Sequence, residues 1–332
     1  MSRVLVTGGA GFIGSHVAEC LIQRGHLVTV LDDLSGGYRD HLPSRARFVH
    51  GSILDVALVD RLFAEGQFEH VFHLAAYAAE GLSHFIKRFN YTNNVIGSVT
   101  LINAAVNAGV RTFVYTSSIA VYGTSPDLPM TEETPARPED SYGIAKHAVE
   151  LELHACRRLF GLDFVIFRPH NVYGPHQNVA DRYRNVIGIF MNQILQGRPM
   201  TIFGDGTQTR AFSYIDDVAP SIAEAIERPD CLNEVFNIGA DRPSSLNELA
   251  ARVAAAMSVA PEVVHLPPRA EVRHAYAAHD KVRRVFGSRP GTDLEVGLAR
   301  MAAWVRARGP RESAPFGGIE ITRNLPSVWQ TC

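Results

Sequence analysis

Tyr142 and Lys146, in the stretch YGIAK, stand four residues apart, a separation that brings two side chains onto one face of a helix. A lysine ammonium beside a phenol favours the phenolate, so such a tyrosine can exchange a proton near neutral pH. Moving a phenol from about 10 to about 7 takes roughly 4 kcal/mol of differential stabilisation. Alone, the pair is equally an ordinary Tyr and Lys on an amphipathic helix. Upstream, the β-branched run RTFVYTSS ends in three hydroxyls, Thr116, Ser117 and Ser118. Strand ends often carry such residues to satisfy free backbone groups.

A third pattern lies at the beginning of the chain. TGGAGFIG places Gly8, Gly11 and Gly14 between an apolar β-branched run, RVLVTG (3–8), and a stretch with helical periodicity, 11–25. Glycines there allow a tight turn, close approach of a pyrophosphate and close packing of helix on strand, while the helix N-terminus attracts negative charge. Asp32 closes the next strand, LVTVLDD (27–33), eighteen residues beyond Gly14. Its carboxylate would accept bonds from ribose hydroxyls and repel a 2′-phosphate, so the expected cofactor is NAD and not NADP.

These residues need a scaffold, and the rest of the sequence supplies one. Strand and helix signals alternate: ARFVHGSI, an amphipathic stretch near 55–64, HVFHLAA (70–76), a helix over about 90–108 ending at Gly109, then RTFVYTSS. A helix over 142–160 ends at Gly161, and LDFVIFRP (162–169) follows. Apolar strands alternating with helices imply a parallel sheet covered on both faces. The expected class is α/β, a Rossmann doubly wound parallel sheet with a smaller mixed α/β C-terminal domain. The texture changes after about residue 170, and FSYIDDVAPSIAEAIERP with NEVFNIGA returns to the first layer. We therefore expect residues 1–172 and 212–240 in the first domain, and 173–211 and 241–332 in the second. Two helices, about 245–257 and 293–307, are expected there, with a poorly structured tail.

Composition narrows the partners. The chain has 332 residues, 46% hydrophobic and 20% charged, with net charge −2. It lacks the basic stripe that phosphate backbones require, so no nucleic acid is expected. No long apolar run suggests a membrane span, and no signal peptide precedes the first strand. Cys20, Cys156, Cys231 and Cys332 show no paired spacing, and the fourteen histidines show no metal-ligand spacing. A reduced, cytoplasmic protein without a metal is expected.

TGGAGFIG, Asp32, HLAA (73–76), YTSS (115–118) and YGIAK occur in that order, and the chain closes with IEITRNLPSVW. Together they resemble the extended short-chain dehydrogenase/reductase superfamily, within it the NAD-dependent nucleotide-sugar epimerases and dehydratases, most of all the UDP-glucose 4-epimerase type. The resemblance covers residue 1 to about 325. It implies that Ser118 hydrogen-bonds the sugar O4 beside Tyr142 and Lys146, with Ser117 and Thr116 lining the far side of the sugar. It places NAD against Gly8, Gly11, Phe12, Ile13 and Gly14, against Asp32 and Asp33, and against Leu74, Ala75 and Ala76. Asn94, Thr116, Tyr142, Lys146 and Pro169 complete that set. GSILD departs from the usual GDI, so Ser52 stands where an aspartate typically meets the adenine amino group, while Ile53 can still pack on the ring.

The same resemblance extends to the UDP-sugar. Asn171 matches a nucleotide-sugar contact, and Asn185 and Val186 match diphosphate and uracil contacts. Thr201 and Phe203 match the base pocket. Arg210 and Arg269 match diphosphate arginines, a role suited to a fixed guanidinium fork, and Glu271 matches the acid facing the nucleotide ribose. Arg273 could exchange roles with Arg269. Glu80 is less familiar: it could contact the sugar, help proton transfer, or pair with Lys87 or Arg88. Sugar contact is the favoured expectation, and an inward Glu80 argues against an anionic sugar.

Local residues then select the chemistry. Sugar 4,6-dehydratases carry an Asp-Glu pair where this chain has Ser117-Ser118 or Ile119-Ala120. The 3,5-epimerase type has a cysteine where Ala120 stands. What remains is a UDP-sugar 4-epimerase, with UDP-glucose/UDP-galactose first and UDP-glucuronate as the alternative, since the hydroxyl triplet also resembles that group. A non-catalytic NAD-binding sensor is disfavoured because Tyr and Lys are both kept. Helices 90–108 and 142–160 resemble those that pair in homodimers of the family.

Overall fold

The computed structural model describes residues 1–312 and 316–330. Its largest sheet is built by strands whose interior positions are almost all apolar, as expected where helices cover both faces. In chain order the first elements are β1 (Arg3–Thr7), α1 (Phe12–Gln23), β2 (Leu27–Asp32), β3 (Arg47–His50), α2 (Val56–Gly66) and β4 (His70–His73). Two short helices follow, α3 (Glu80–Ser83) and α4 (Lys87–Tyr91), then one π turn (Thr92–Ile96) and α5 (Gly97–Asn107). β5 (Thr112–Thr116), α6 (Ser141–Phe160) and β6 (Asp163–Pro169) come next. The single helix expected over 90–108 is thus interrupted by a π turn, a feature that often marks functional positions.

Beyond residue 170 lie β7 (Val172–Tyr173), α7 (Val186–Leu195), β8 (Met200–Phe203), β9 (Thr209–Ala211), β10 (Ser213–Tyr214) and α8 (Ile215–Glu224). They are followed by β11 (Glu234–Ile238), β12 (Pro243–Ser245), α9 (Leu246–Ala256), β13 (Val263–Leu266), β14 (His274–Ala275), α10 (Asp280–Phe286) and α11 (Leu294–Arg308). The seven-stranded sheet runs β11-β6-β5-β4-β1-β2-β3, and all its pairs are parallel. This is a Rossmann-type sheet. Winding reverses between β1 and β4, so a crevice opens at the carboxyl ends of the strands where ligands bind in such sheets. β12-β9-β14 and β13-β8 form small separate sheets in the later part of the chain.

One core joins the two parts. Val4, Val17 and Val30 pack in the same cluster as Phe190, Met191, Leu249 and Leu298. The chain end, expected to be poorly structured, has little regular structure but is firmly packed. Leu325 and Trp329 are buried with Leu82, Ile86 and Tyr183. The Glu320 carboxylate accepts from the backbone N–H of Arg88 and of Phe89, both at 2.9 Å, at the start of α4. Among the described residues no helix is long and apolar enough to cross a membrane.

Candidate active site

At the carboxyl end of β1 the chain must turn without side chains. Gly8 has φ 71°, and a Cβ there would press on the backbone nitrogen of Ala75 at 2.7 Å. A Cβ on Gly14 would fall on the Gly8 carbonyl oxygen. The result is a bare cradle at the N-terminus of α1, which suits a pyrophosphate. Asp32 ends β2 with Oδ2 accepting from Ala10 N–H at 3.0 Å and Oδ1 accepting from Leu34 N–H at 2.8 Å. Burial raises its pKa, and those amide bonds oppose the rise. Asp33 accepts from Ser35 N–H at 2.9 Å. Ser52 closes its own turn, its hydroxyl accepting from Leu54 N–H at 3.2 Å, while Ile53 is buried beside Gly97.

Beneath the residues that line the cleft runs a buried chain of hydrogen bonds. Thr7 Oγ1 meets His73 Nδ1 at 2.8 Å, His73 Nε2 meets Ser98 Oγ at 2.8 Å, and Ser98 donates to the Asn94 carbonyl at 2.7 Å. Burial drives the His73 pKa down to about 3, so the imidazole is neutral. Asn94 does not face the cleft. Its Oδ1 accepts from Tyr77 N–H at 2.9 Å and its amide donates to the Tyr77 carbonyl at 3.1 Å and to Asn90 at 2.8 Å. These bonds tie Asn94 to loop 74–80, which borders the cleft. The π turn instead puts Asn93 on the cleft wall.

The catalytic end is assembled where β5 meets α6. Asp140 caps α6, its Oδ1 accepting from Gly143 N–H at 2.8 Å, the usual satisfaction of a free helix donor. Tyr142 sits in the first turn and Lys146 one turn on. Lys146 Nζ donates to the Thr116 carbonyl at 2.7 Å and lies 5.7 Å from the Tyr142 ring centroid. Burial brings the Lys146 pKa down to about 7, with Glu150 opposing. Burial also pushes Tyr142 above the usual phenol range, with the Ser118 hydroxyl opposing it. The lowering of Tyr142 expected from its lysine is therefore not achieved by the chain alone. Thr116 Oγ1 is buried without a partner.

Behind this pair lies a buried ionic clamp. Arg168 on β6 donates to both oxygens of Glu150, at 2.9 and 2.6 Å, and to Tyr122 at 2.8 Å. Burial works against the Glu150 carboxylate, but these bonds hold its pKa down to about 2. The clamp fixes α6 on the sheet.

The nucleotide side comes from the later elements. Asn171 (φ 42°) and Asn185 (φ 49°) both take left-handed backbone conformations beside the cleft. Thr201 accepts from the Gln193 amide at 2.9 Å. The Arg210 guanidinium is fixed by the carbonyls of Thr209, Arg273 and Val272. Arg269 lies over the Phe203 ring at 4.5 Å and pairs with Glu271 at 2.9 Å. Glu271 also accepts from Gln208 at 3.0 Å. Arg273 lies outside this cleft, on a neighbouring groove, bonded to Thr207 at 3.1 Å. The structure therefore puts Arg269, and not Arg273, at the site.

All of this opens onto one cleft of about 1620 Å³. Gly8, Gly11, Phe12, Ile13 and Gly14 line it with Leu74, Ala75, Ala76 and Pro169. Asp32, Asp33, Ser52, Ile53, Glu80, Thr116, Ser117, Ser118, Tyr142, Lys146, Asn171, Asn185, Val186, Thr201, Phe203, Arg210, Arg269 and Glu271 line it as well. The sequence reading passed over Asp140, Arg184 and Trp329, which also line it. Arg184 is held by Asp181 at 2.6 Å and lies 4.7 Å from the Tyr77 ring centroid. An acid before a helix start could have revealed Asp140; no periodic signal marked the other two. The side-chain-free cradle, the acid ending β2 and the unpartnered Thr116 hydroxyl fit a dinucleotide.

Comparison with known proteins agrees with this geometry. The family model described as the NAD dependent epimerase/dehydratase family matches residues 4–239. A UDP-glucose 4-epimerase of Mycolicibacterium smegmatis is 38% identical over 311 residues, 92% of this chain and 98% of that protein. A UDP-glucuronate 4-epimerase of Arabidopsis thaliana is 31% identical over 91% of this chain and 76% of its own length. The crystal structure of a Thermotoga maritima UDP-glucose 4-epimerase with UDP-glucose is 36% identical, with TM-score 0.87, over 92% of this chain and 99% of that one. The chain belongs to the NAD-dependent epimerase/dehydratase family.

Proposed function

We propose that the protein is an NAD-dependent UDP-sugar 4-epimerase acting on UDP-glucose and UDP-galactose. The observation that carries this reading is the convergence of Ser118, Tyr142 and Lys146 on the cleft that also holds the glycine cradle. No Asp-Glu pair follows Thr116, and Ala120 offers no acid or thiol, so elimination and C3/C5 deprotonation lack their groups. In this proposal residues 1–172 and 212–240 hold the cofactor, and residues 173–211 and 241–332 hold the nucleotide sugar.

Tyr142 takes the proton of the sugar 4-hydroxyl, and Ser118 orients that oxygen. NAD held by the glycine cradle and Asp32 would supply the hydride acceptor and donor for C4, and its positive ring would add to Lys146 in favouring the phenolate. That added charge matters here, because burial alone holds Tyr142 protonated. Arg210 and Arg269 hold the diphosphate while the 4-ketose turns its other face. Tyr142 then gives the proton back to the inverted alcohol. The protein contributes positioning and retention of the ketose.

We infer a cytoplasmic homodimer formed through α5 and α6. Ile144, Leu151 and Leu159 are exposed at helical spacing on α6, and Ile96 is exposed just before α5. Such a stripe is suited to pairing with a second copy. Tyr142→Phe tests the catalytic reading: epimerisation of UDP-glucose falls at least about a thousandfold with the fold and NAD binding kept. Substantial residual turnover contradicts it.

A further inference from the structure

Among the carboxyl groups of the cleft that the proton-transfer scheme does not use are Glu80 and Asp140. Glu80 opens the short helix α3, and Ser83 ties that helix to α6. Its hydroxyl donates to the Glu80 carbonyl at 2.6 Å and accepts from Tyr142 N–H at 3.1 Å. The acid is thereby fixed next to the reacting end of the cleft. The salt bridge with Lys87 or Arg88 that the sequence allows is absent among the described residues; Arg88 pairs with Glu320 at 3.5 Å. The Glu80 side chain is instead open to the cleft.

Its charged surroundings are specific. The backbone of Gly81, next to Glu80, approaches Arg269 so closely that a Cβ there would lie 3.3 Å from its guanidinium, while Ser83 at the other end of α3 bonds the Tyr142 N–H. Glu80 thus sits on a short helix that reaches from Arg269 to Tyr142, where a hexose must sit for its O4 to reach the phenol. Charge balance then constrains that hexose. Two guanidinium groups face two carboxylates, Glu80 and Glu271, so the arginines carry no excess positive charge before the substrate arrives. A diphosphate adds negative charge of its own. A further carboxylate on the sugar would meet Glu80, and two basic residues of the cleft are already engaged, Lys146 with the Thr116 carbonyl and Arg184 with Asp181.

We propose that Glu80, backed by Asp140, is the specificity-determining residue of the hexose subsite, admitting sugars with hydroxyl or ammonium donors and rejecting sugars that carry a carboxylate. This rests on reading the cleft as a UDP-sugar site. A carboxylate accepts charge-assisted bonds from sugar hydroxyls, and repels a second carboxylate strongly where water is displaced. Burial raises the pKa of Glu80, and the Arg210 and Arg269 guanidinium groups oppose that rise and favour its carboxylate.

The test measures binding of UDP-glucose, UDP-glucuronate and UDP to the NAD-loaded protein by calorimetry, in wild type and Glu80→Gln. Wild type is expected to bind UDP-glucose at least about tenfold more tightly than UDP-glucuronate. Glu80→Gln closes or reverses that gap, changing the ratio about thirtyfold by tightening UDP-glucuronate about tenfold and weakening UDP-glucose about threefold, with UDP unchanged. Equal binding of the two sugars by wild type, or an unchanged ratio in a folded Glu80→Gln, overturns the proposal. Tightening of UDP by the same factor also overturns it, because Glu80 would then be sensing the diphosphate. Failure to bind any of the three overturns it as well. Turnover is scored separately: if neither sugar is epimerised yet wild type still prefers UDP-glucose, the epimerase reading fails and the charge selection stands.

Discussion

Lys146 Nζ donates a 2.7 Å hydrogen bond to the main-chain carbonyl of Thr116, joining the second turn of α6 to the end of β5. The bond serves two purposes. It satisfies a carbonyl at a strand end and holds a titratable nitrogen beside the Tyr142 ring. Position and charge therefore depend on the same atom.

Lys146→Met separates them. It removes the charge and leaves the Thr116 carbonyl unpaired, so UDP-glucose epimerisation falls about a hundredfold or more. The same substitution has a signature in stability. Lys146 is held down to about 7 in the fold and returns to the ordinary lysine range when unfolded. From pH 7 to 9 the unfolded chain binds the extra proton, so wild-type stability rises with pH by up to about 1.4 kcal/mol per unit. Urea denaturation of NAD-free protein across that range should show this slope in wild type relative to Lys146→Met. Parallel curves would contradict it.

Arg168 and Glu150 are almost wholly enclosed and bonded through two contacts. Removing one partner strands a buried charge, which typically costs about 3–5 kcal/mol. Arg168→Met should lower stability by that amount in chemical denaturation. Adding Glu150→Leu should recover part of the loss, because no charge is then left alone.

Asp32 binds two backbone N–H groups of the cradle and its following turn. Its charge stands where a 2′-phosphate would come. Asp32→Asn keeps one acceptor and drops the charge. NADP affinity should rise about tenfold while NAD affinity falls severalfold, read by fluorescence titration.

Much of this site was legible because its parts are periodic or obey backbone rules. Gly8, Gly11 and Gly14 of TGGAGFIG sit where a Cβ would press on Ala75 or on Gly8. Tyr142 and Lys146 share a helix face because that helix runs unbroken from Ser141 to Phe160. The π turn at Thr92–Ile96, which no spacing rule anticipates, buries Asn94 and leaves Asn93 on the cleft. Arg184 and Trp329 come from irregular segments whose positions depend on tertiary packing, on Asp181 and on the Tyr183–Phe203 cluster. The effect of burial on Tyr142 likewise depends on what surrounds the phenol in three dimensions, and no sequence neighbour reports it.

The most direct test of the central claim is an NMR time course in D₂O with NAD-loaded protein and UDP-glucose. The account predicts UDP-galactose with no deuterium on any sugar carbon, because the hydride removed from C4 is the one returned. Deuterium at C3 or C5, or accumulation of a keto sugar, would contradict it.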